Sequence, residues 1–251
     1  MAKVLTAIIA ENLSKVVEQH HLLPKTHFGG QPGQSMADTV HFMVSKICMA
    51  WRENKVTSVL FLDVEGAFPN TATTRLIHNL QKRRVPAAIV QYIEQLLTGR
   101  KTRLKFDDHV SEIINITNGI GQGDPLSMLL YIIYNADLLD LPDNSLLENT
   151  VGYINDITLM AIGSNFEETT NCLKDMMVKE DGRLQWSAQH NSHFEVTKSA
   201  ILHFTRRTSP DLEEDNHRLP MHRPALVLED QVVKEVNVYK YLGIQIDAHL
   251  G

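Results

Sequence analysis

Two acidic residues stand at the ends of β-forming segments that lie far apart in the chain. The run from Val56 to Phe68 leads through β-branched residues to Asp63, and the run from Val151 to Met160 carries Asn155 and Asp156 between two apolar halves. The second run predicts a β-hairpin whose turn is Asn155-Asp156. If the strand of Asp63 lies beside that hairpin, three oxygen-bearing side chains meet at one sheet edge. Such hard oxygen ligands suit Mg²⁺, which substrate phosphates complete.

Each half of this pattern also has an ordinary structural explanation. Asn-Asp between β-formers is common turn chemistry, and Asp63 could cap the helix that follows it. A carboxylate that closes a buried strand is costly unless a cation meets it. The combination of two acidic strand ends is what favours a metal site over these alternatives.

The elements that must position these residues are predicted from periodicity and turn residues. Helices are expected near the N-terminus up to Pro24, after the glycine-rich loop His27 to Asp38, from Thr71 to about Arg84, from Ala87 to Leu97, from Pro125 to Leu139, and from Phe166 to about Gln189 with a break at Gly182. A hairpin is expected between Arg100 and Thr117, a loop from Arg206 to Arg223, and closing strands at Leu226 to Leu228 and Val232 to Val238.

Composition sets limits on the class of protein. The chain has 251 residues, 43% of them hydrophobic, and 24 Lys and Arg against 30 Asp and Glu, for a net charge of -6. It is therefore globular, and any nucleic-acid contact must come from local basic clusters. Two clusters exist, Lys82 to Arg84 and Arg100 to Lys105, which are either solvated surface or phosphate contacts.

Cysteine use and hydropathy point to an intracellular protein. Cys48 and Cys172 lie far apart without a CxxC spacing, so neither a zinc site nor a disulfide is indicated. The N-terminal run has helical periodicity and lacks the features of a signal peptide. No stretch is apolar enough over about 18 residues to span a membrane. The cytoplasm, the nucleus or both are the expected locations.

Several segments, in order, resemble the motifs of reverse transcriptases, with the non-LTR, LINE-type retrotransposon branch as the closest match. In chain order they are the stretch FGGQPGQSMADTVH in the position of a fingers motif, Asp63 with Ala67-Phe68, the turn Gly121 to Ser127, and Tyr153-Ile154-Asn155-Asp156. Two further segments follow, FEVTKSAILHF at Phe194 to Phe204 and YKYLGIQID at Tyr239 to Asp247, the latter in the position of the primer grip. The resemblance runs over nearly the whole chain, and the order and spacing make it specific.

The resemblance implies an α+β fold, a right-hand polymerase palm with a βαββαβ-type antiparallel sheet backed by helices. It places partial fingers at residues 1–55 and the palm at 56–251, with the thumb absent. It implies two Mg²⁺ ions, or Mn²⁺, held by Asp63 and Asp156, with an RNA template, a DNA primer and deoxynucleoside triphosphates as partners.

Individual residues take roles from the same resemblance. Phe68 matches the gate that rejects a ribose 2′-hydroxyl, and Lys198 matches a residue near the triphosphate. Gln122 and Gly123 match the turn that positions template and incoming nucleotide.

Three positions depart from the family pattern. Asn155 stands where the first aspartate of the YxDD hairpin is expected, and Gln31 and Gln34 stand where the fingers motif has arginines. An amide oxygen can ligate a metal but brings no negative charge, and glutamine cannot hold phosphate as a charged partner. The sequence thus leaves two main functions, an RNA-directed DNA polymerase or an inactive retroelement remnant that binds nucleic acid weakly. A nucleotidyl cyclase ranks lower, since it would not explain GQGDPLS or YLG.

Overall fold

A five-stranded sheet forms the centre of the fold, which is seen in a computed structural model that describes residues 2–141, 147–210 and 218–250. The helices are α1 (Ala2–Gln19), α2 (Met36–Arg52), α3 (Ala67–Asn70), α4 (Thr73–Lys82), α5 (Ala87–Leu97), α6 (Pro125–Asp140), α7 (Phe166–Val178) and α8 (Arg183–Gln189). The first strands are β1 (Val56–Leu62), β2 (Arg100–Thr102), β3 (Lys105–Phe106), β4 (His109–Val110), β5 (Ile114–Ile116), β6 (Glu148–Tyr153), β7 (Asp156–Gly163) and β8 (Ala200–Phe204). The remaining strands are β9 (Ser209–Pro210), β10 (Arg218–Leu219), β11 (Val227–Leu228), β12 (Gln231–Val232), β13 (Lys234–Val236), β14 (Val238–Tyr241) and β15 (Ile244–Asp247).

The sheet has the strand order β13-β8-β1-β7-β6. Helical segments connect β1 to the hairpin β6–β7, and α7 and α8 connect that hairpin to β8, so the chain follows the expected βαββαβ path. The pairs among β8, β1, β7 and β6 are antiparallel. A fifth strand, β13, is added at the edge of this four-strand unit and runs parallel to β8. The mixed α+β architecture agrees with a polymerase palm.

Side chains of the central strands alternate between two apolar layers, as a sheet covered on both faces requires. Leu60 and Leu62 point to the larger layer, which is formed with α1 and α4 to α8. Val59 and Phe61 point to the smaller layer, which is formed with α2 and the hairpin β14–β15. The strand that leads to Asp63 is buried along its whole length, which fixes the position of its end.

The helix α6 lies in the middle of the larger layer. Twelve of its sixteen residues are buried, so it is apolar around most of its circumference, as expected of a central helix. Asp124 accepts a hydrogen bond from the backbone amide of Leu126, and Pro125 occupies the first turn. These signals fix the start of α6 directly after the Gly121 to Gly123 turn.

Most predicted elements are confirmed, with shifts at their ends. The helix predicted from Thr71 to Arg84 is shorter, and the region from Arg206 to Arg223 contains β9 and β10 on either side of residues 211–217, which lie outside the described part of the chain. The predicted hairpin after Arg100 forms as β2 paired with β5. The cap at Ser35 is a complete capping box with Asp38.

Two further sequence expectations can be compared with the described residues. No helix among them is long and apolar enough to cross a membrane. The two cysteines, Cys48 and Cys172, are not in a disulfide.

Candidate active site

The end of β1 and the start of β7 bring Asp63 and Asp156 to the same edge of the sheet. The register pairs Leu62 with Ile157, so the next residue of β1 and the preceding residue of β7 are neighbours across the two strands. This confirms the predicted meeting of the two acidic strand ends. The side chain of Asp63 is 39% exposed, so the edge is open to a ligand from solvent.

The negative charges of the two carboxylates repel each other. Burial raises the pKa of the Asp156 carboxyl, and the nearby negative charge of Asp63 raises it further. Among the described residues, Lys198 is the cation paired with Asp63: its Nζ lies 3.8 Å from Oδ2 of Asp63, and its side chain is 64% exposed. An exposed lysine at that distance compensates the pair only weakly, and negative charge remains at the edge.

The backbone around Asp63 is held by the segment that precedes β8. The amide of Glu195 donates to the carbonyl of Asp63 at 2.9 Å, and the amide of Glu65 donates to the carbonyl of His193 at 2.9 Å. Val64 and Phe194 form an isolated antiparallel bridge between these two segments. The segment that carries Lys198 is therefore tied directly to the strand end that carries Asp63.

The turn of the hairpin differs from the prediction. Tyr153 pairs with Asp156, so the two turn residues are Ile154 and Asn155, and Asp156 is the first residue of β7. Ile154 has a φ of 56°, a conformation that β-branched residues rarely adopt. The prediction placed Asn155-Asp156 in the turn because their intrinsic preferences favour it, but the pairing of β6 with β7 places the turn one residue earlier in the chain. Asn155 is half-buried at the tip.

A buried polar chain holds this turn in place. Nδ2 of Asn135, on α6, donates to the carbonyl of Ile154 at 2.6 Å, and Nε2 of His27 lies 3.1 Å from Oδ1 of Asn135. Both side chains are fully buried. Because a carbonyl only accepts, the amide orientation of Asn135 is set, and Nε2 of His27 must carry the proton that Oδ1 accepts. Burial lowers the pKa of His27 to about 4, so its ring is neutral at pH 7.

The glycine-rich loop before α2 packs directly on the same hairpin. The amide of Phe28 donates to the carbonyl of Gly152 at 2.8 Å, and the amide of Gly152 donates to the carbonyl of Thr26 at 3.0 Å. A Cβ at Gly29 would meet the backbone of Tyr153 and Ile154. Only glycine permits this approach, so the loop acts as a brace for the hairpin.

The Gly121 to Gly123 turn is fixed against α3 by backbone contacts. The amide of Ile120 donates to the carbonyl of Phe68 at 2.9 Å, and Arg100 donates to the carbonyls of Asn118 and Gly119. Arg100 is thus a structural residue of this turn and not a free phosphate contact. Gln122 and Gly123 are exposed at the tip, and Gly123 has a φ of 77°.

Phe68, on α3, contacts both that turn and α6: its carbonyl accepts from the amide of Ile120, and its ring meets Tyr131. Its ring is half-buried and stacks on Tyr131 with ring centroids 5.0 Å apart. Burial raises the pKa of the Tyr131 hydroxyl, with smaller contributions from Tyr134 and from the charge of Asp156. Tyr131, on which Phe68 stacks, is therefore close enough to Asp156 for the charge of that carboxylate to act on it.

The remaining predicted site residues lie away from this edge. Gln31 donates to the carbonyl of His27, and Gln34 is exposed. Both line a cavity of about 240 Å³ against the end of α1, together with Glu18 and Lys25. In the described residues no contact joins either glutamine to Asp63 or Asp156, although Gln31 touches the loop that braces the hairpin.

The first basic cluster is partly structural. Nη2 of Arg83 contacts Asp137 and Asp140, each at 2.6 Å, and the Arg83 side chain is only 11% exposed. Lys82 contacts Asp137 at 3.0 Å. The interpretation of this cluster as solvated surface or phosphate contact is therefore wrong for Arg83, because its guanidinium joins α4 to α6.

A divalent cation fits the carboxylate pair by charge and by donor type. Two partly exposed carboxylates that repel each other provide the hard oxygen ligands and the negative charge that Mg²⁺ requires. Among the described residues no group of three or more His, Cys, Asp or Glu could hold a metal. The candidate donors are therefore the two carboxylates, with Asn155 offering an amide at the hairpin tip.

Two kinds of comparison with known proteins agree with this geometry. Residues 1–246 match the family described as "Reverse transcriptase (RNA-dependent DNA polymerase)". The chain is 24% identical to the probable RNA-directed DNA polymerase from transposon X-element of Drosophila melanogaster, over 100% of this chain and 26% of the relative. It is 22% identical to the RNA-directed DNA polymerase from mobile element jockey of the same species, again over 100% of this chain and 26% of the relative. The chain thus spans about a quarter of the length of these relatives.

Among solved structures, the fold is similar to apo telomerase from Candida tropicalis truncated from its C-terminal domain. The TM-score is 0.62 at 10% sequence identity, and the match covers 98% of this chain and 44% of the telomerase chain. At this identity the similarity concerns the fold.

Proposed function

The chain belongs to the reverse transcriptase (RNA-dependent DNA polymerase) family, and we propose that it forms the palm and part of the fingers of a retroelement polymerase that extends a DNA primer on an RNA template. The observation that carries this proposal is the register of β1 against β7, which brings Asp63 and Asp156 to one open sheet edge. We assign residues 1–55 to the fingers and 56–251 to the palm. The contacts of the glycine-rich loop with the hairpin make these two parts one packed unit around the site.

In this proposal Asp63 and Asp156 hold Mg²⁺, or Mn²⁺, and Asn155 contributes at most a neutral oxygen. When bound, divalent metal supplies Lewis acidity for the primer 3′-hydroxyl and charge neutralisation for the triphosphate. Lys198, close to Asp63, is placed to meet a phosphate. Phe68 packs firmly on Tyr131, which suits a gate that rejects a 2′-hydroxyl by steric contact.

We propose that the exposed turn residues contact nucleic acid together with the ribbon formed by strands β2 to β5, residues 100–116. Gln122 and Gly123 sit at the tip of a turn whose backbone is fixed by Arg100 and α3, so they present a rigid surface to template and nucleotide. Lys101, Arg103 and Lys105 are exposed on the ribbon and are suited to backbone phosphate.

Asn155 favours a second candidate function, a nucleic-acid-binding remnant without polymerase activity. Replacing a carboxylate by an amide removes one negative charge from a site that must neutralise divalent cations. In either function we place the protein inside the cell, where its RNA and nucleotides are found.

Primer extension tests the proposal. A DNA primer annealed to an RNA template is incubated with deoxynucleoside triphosphates and Mg²⁺ or Mn²⁺, using the chain, its Asn155→Asp variant and an Asp63→Asn control. Primer extension by the unaltered chain and, at a higher rate, by Asn155→Asp, together with no extension by Asp63→Asn, supports the polymerase function. Extension by Asn155→Asp alone supports the remnant. Silence in all three overturns polymerase activity for this chain.

A further inference from the structure

A cavity lined by three arginines lies at the end of the sheet opposite the carboxylates. Trp51, at the end of α2, and Thr205 and Arg206, which follow β8, lie where β1 begins, since Thr57 pairs with Phe204. Asp63 follows the other end of the seven-residue β1, about 20 Å away at about 3.3 Å per residue. This cavity, of about 650 Å³, is therefore separate from the candidate active site.

Three arginines line the cavity and are only partly neutralised. Arg223 contacts Glu235 at 2.8 Å, the single carboxylate within ion-pair distance of these arginines in the described residues. Nη1 of Arg207 donates hydrogen bonds to two neutral carbonyls, those of Asn54 and Ser164. Arg206 contacts a ring and no carboxylate in the same residues. The cavity wall thus carries a surplus of positive charge in a chain whose net charge is -6.

Arg206 is held in a geometry suited to planar ligands. Its guanidinium carbon lies 4.3 Å from the centre of the Trp51 ring, within cation–π distance, and the Arg206 side chain is exposed, so a second ring can approach it from solvent. Arginine planes of this kind accept bases by stacking and phosphates by paired hydrogen bonds. An acidic peptide would use the charge but not the stacked plane.

A buried histidine provides a further polar group at the wall. His203 lines the cavity and is 1% exposed, and its Nδ1 lies 2.7 Å from Oγ of Ser58. Its Nε2 is buried and has no hydrogen-bond partner among the described residues. A buried ring nitrogen without a partner is costly, and a ligand in the cavity could satisfy it.

We propose that this cavity binds a single-stranded polynucleotide, with backbone phosphate held by Arg206 and its neighbours and a base stacked on the Arg206 plane. The cavity is large enough for a nucleotide, and its wall combines positive charge with an aromatic-backed plane, the two features that sequence-tolerant strand binding uses. This surface would hold a strand away from the sheet edge where Asp63 lies, so binding there does not require a metal.

The test is fluorescence anisotropy of a labelled 12-nucleotide oligouridylate, with no divalent metal present. Arg206→Gln should weaken binding several-fold and reduce the salt slope by about 0.7, the value for one phosphate contact on a single strand. The double variant Lys15→Gln/Lys174→Gln, which removes exposed lysines on α1 and α7, should leave both quantities nearly unchanged.

Tryptophan emission locates the bound strand. The chain has two tryptophans, so oligouridylate should change the emission of a Trp186→Phe variant, which keeps Trp51, and not that of a Trp51→Phe variant. Equal loss of affinity in Arg206→Gln and in the lysine double variant would overturn the proposal, as would an emission change that survives Trp51→Phe. Tighter binding of labelled polyglutamate than of oligouridylate would identify an acidic peptide as the ligand instead, and competition by millimolar inorganic phosphate alone would reduce the site to a free-phosphate site.

Discussion

The buried chain from His27 through Asn135 to the carbonyl of Ile154 predicts a large and localised effect of Asn135→Leu. Leucine nearly preserves the volume but neither donates nor accepts, so the buried Nε2 of His27 and the partly buried carbonyl of Ile154 lose their partners at once. Each orphaned buried group costs about 1–3 kcal/mol, so the free energy of unfolding should fall by about 4 kcal/mol. For a chain of this size that corresponds to a Tm lower by about 8–16 °C.

A second buried asparagine provides the matched control. Nδ2 of Asn79 donates to the carbonyl of Tyr134 at 2.9 Å, and the residue is 1% exposed. That carbonyl lies inside α6, where a helical hydrogen bond also serves it, so Asn79→Leu should cost only about 1–2 kcal/mol. Denaturant unfolding of both variants measures the difference.

Hydrogen exchange shows where the loss occurs. In Asn135→Leu the amides of residues 151–158 should lose protection before those of β8, because the turn at Ile154 is no longer held in its positive-φ conformation. In Asn79→Leu that order should not change. Equal destabilisation by the two variants, with unchanged exchange in the hairpin, would refute the assignment of His27 and Asn135 as positioning residues.

Three further outcomes follow from contacts around the site. Asp156→Asn should raise Tm at pH 7, because the pKa of the Asp156 carboxyl is raised by burial and by Asp63. In the unaltered protein the free energy of unfolding should increase as the pH falls through that raised pKa, since the folded state binds the proton more tightly. Unfolding measured as a function of pH should show that the variant lacks this increase. Arg83→Gln should cost about 2–3 kcal/mol in denaturant unfolding because Asp140 then loses its partner and the partly buried Asp137 keeps only Lys82, whereas Arg84→Gln, at an exposed position, should change stability by less than about 0.5 kcal/mol. Gly29→Ala should destabilise the hairpin, since the new Cβ would lie 2.9 Å from the Tyr153 carbonyl carbon, and the hairpin amides should then exchange faster.

The meeting of Asp63 and Asp156 could be predicted from the sequence because each borders a strong β-forming run. Asp63 directly follows β1, and Asp156 begins β7. The strands β1 and β7 are buried along nearly their whole length, and the pairing of two buried strands leaves little freedom in register. The apolar helix α6 was equally predictable, since Asp124 and Pro125 are strong signals of a helix start.

The contacts that hold the hairpin turn and α4 in place could not be predicted from the sequence. His27 and Asn135 are 108 positions apart in the sequence, and neither belongs to a local pattern that pairs them. The turn was predicted one residue too late because Asn155 and Asp156 have the better intrinsic turn propensity, while Ile154 adopts its conformation only under tertiary constraint. Arg83 looked like a surface charge because its partners Asp137 and Asp140 lie on a distant helix.

The central claim is that Asp63 and Asp156 form one divalent cation site that Asn155 weakens. Calorimetric titration with Mn²⁺ at pH 7 tests it most directly, with the chain, Asn155→Asp and Asp63→Asn compared under the same conditions. We predict weak binding by the chain, binding at least tenfold tighter by Asn155→Asp, and none by Asp63→Asn. Equal affinity in all three would contradict the claim, because the cation would then bind away from these two strand ends.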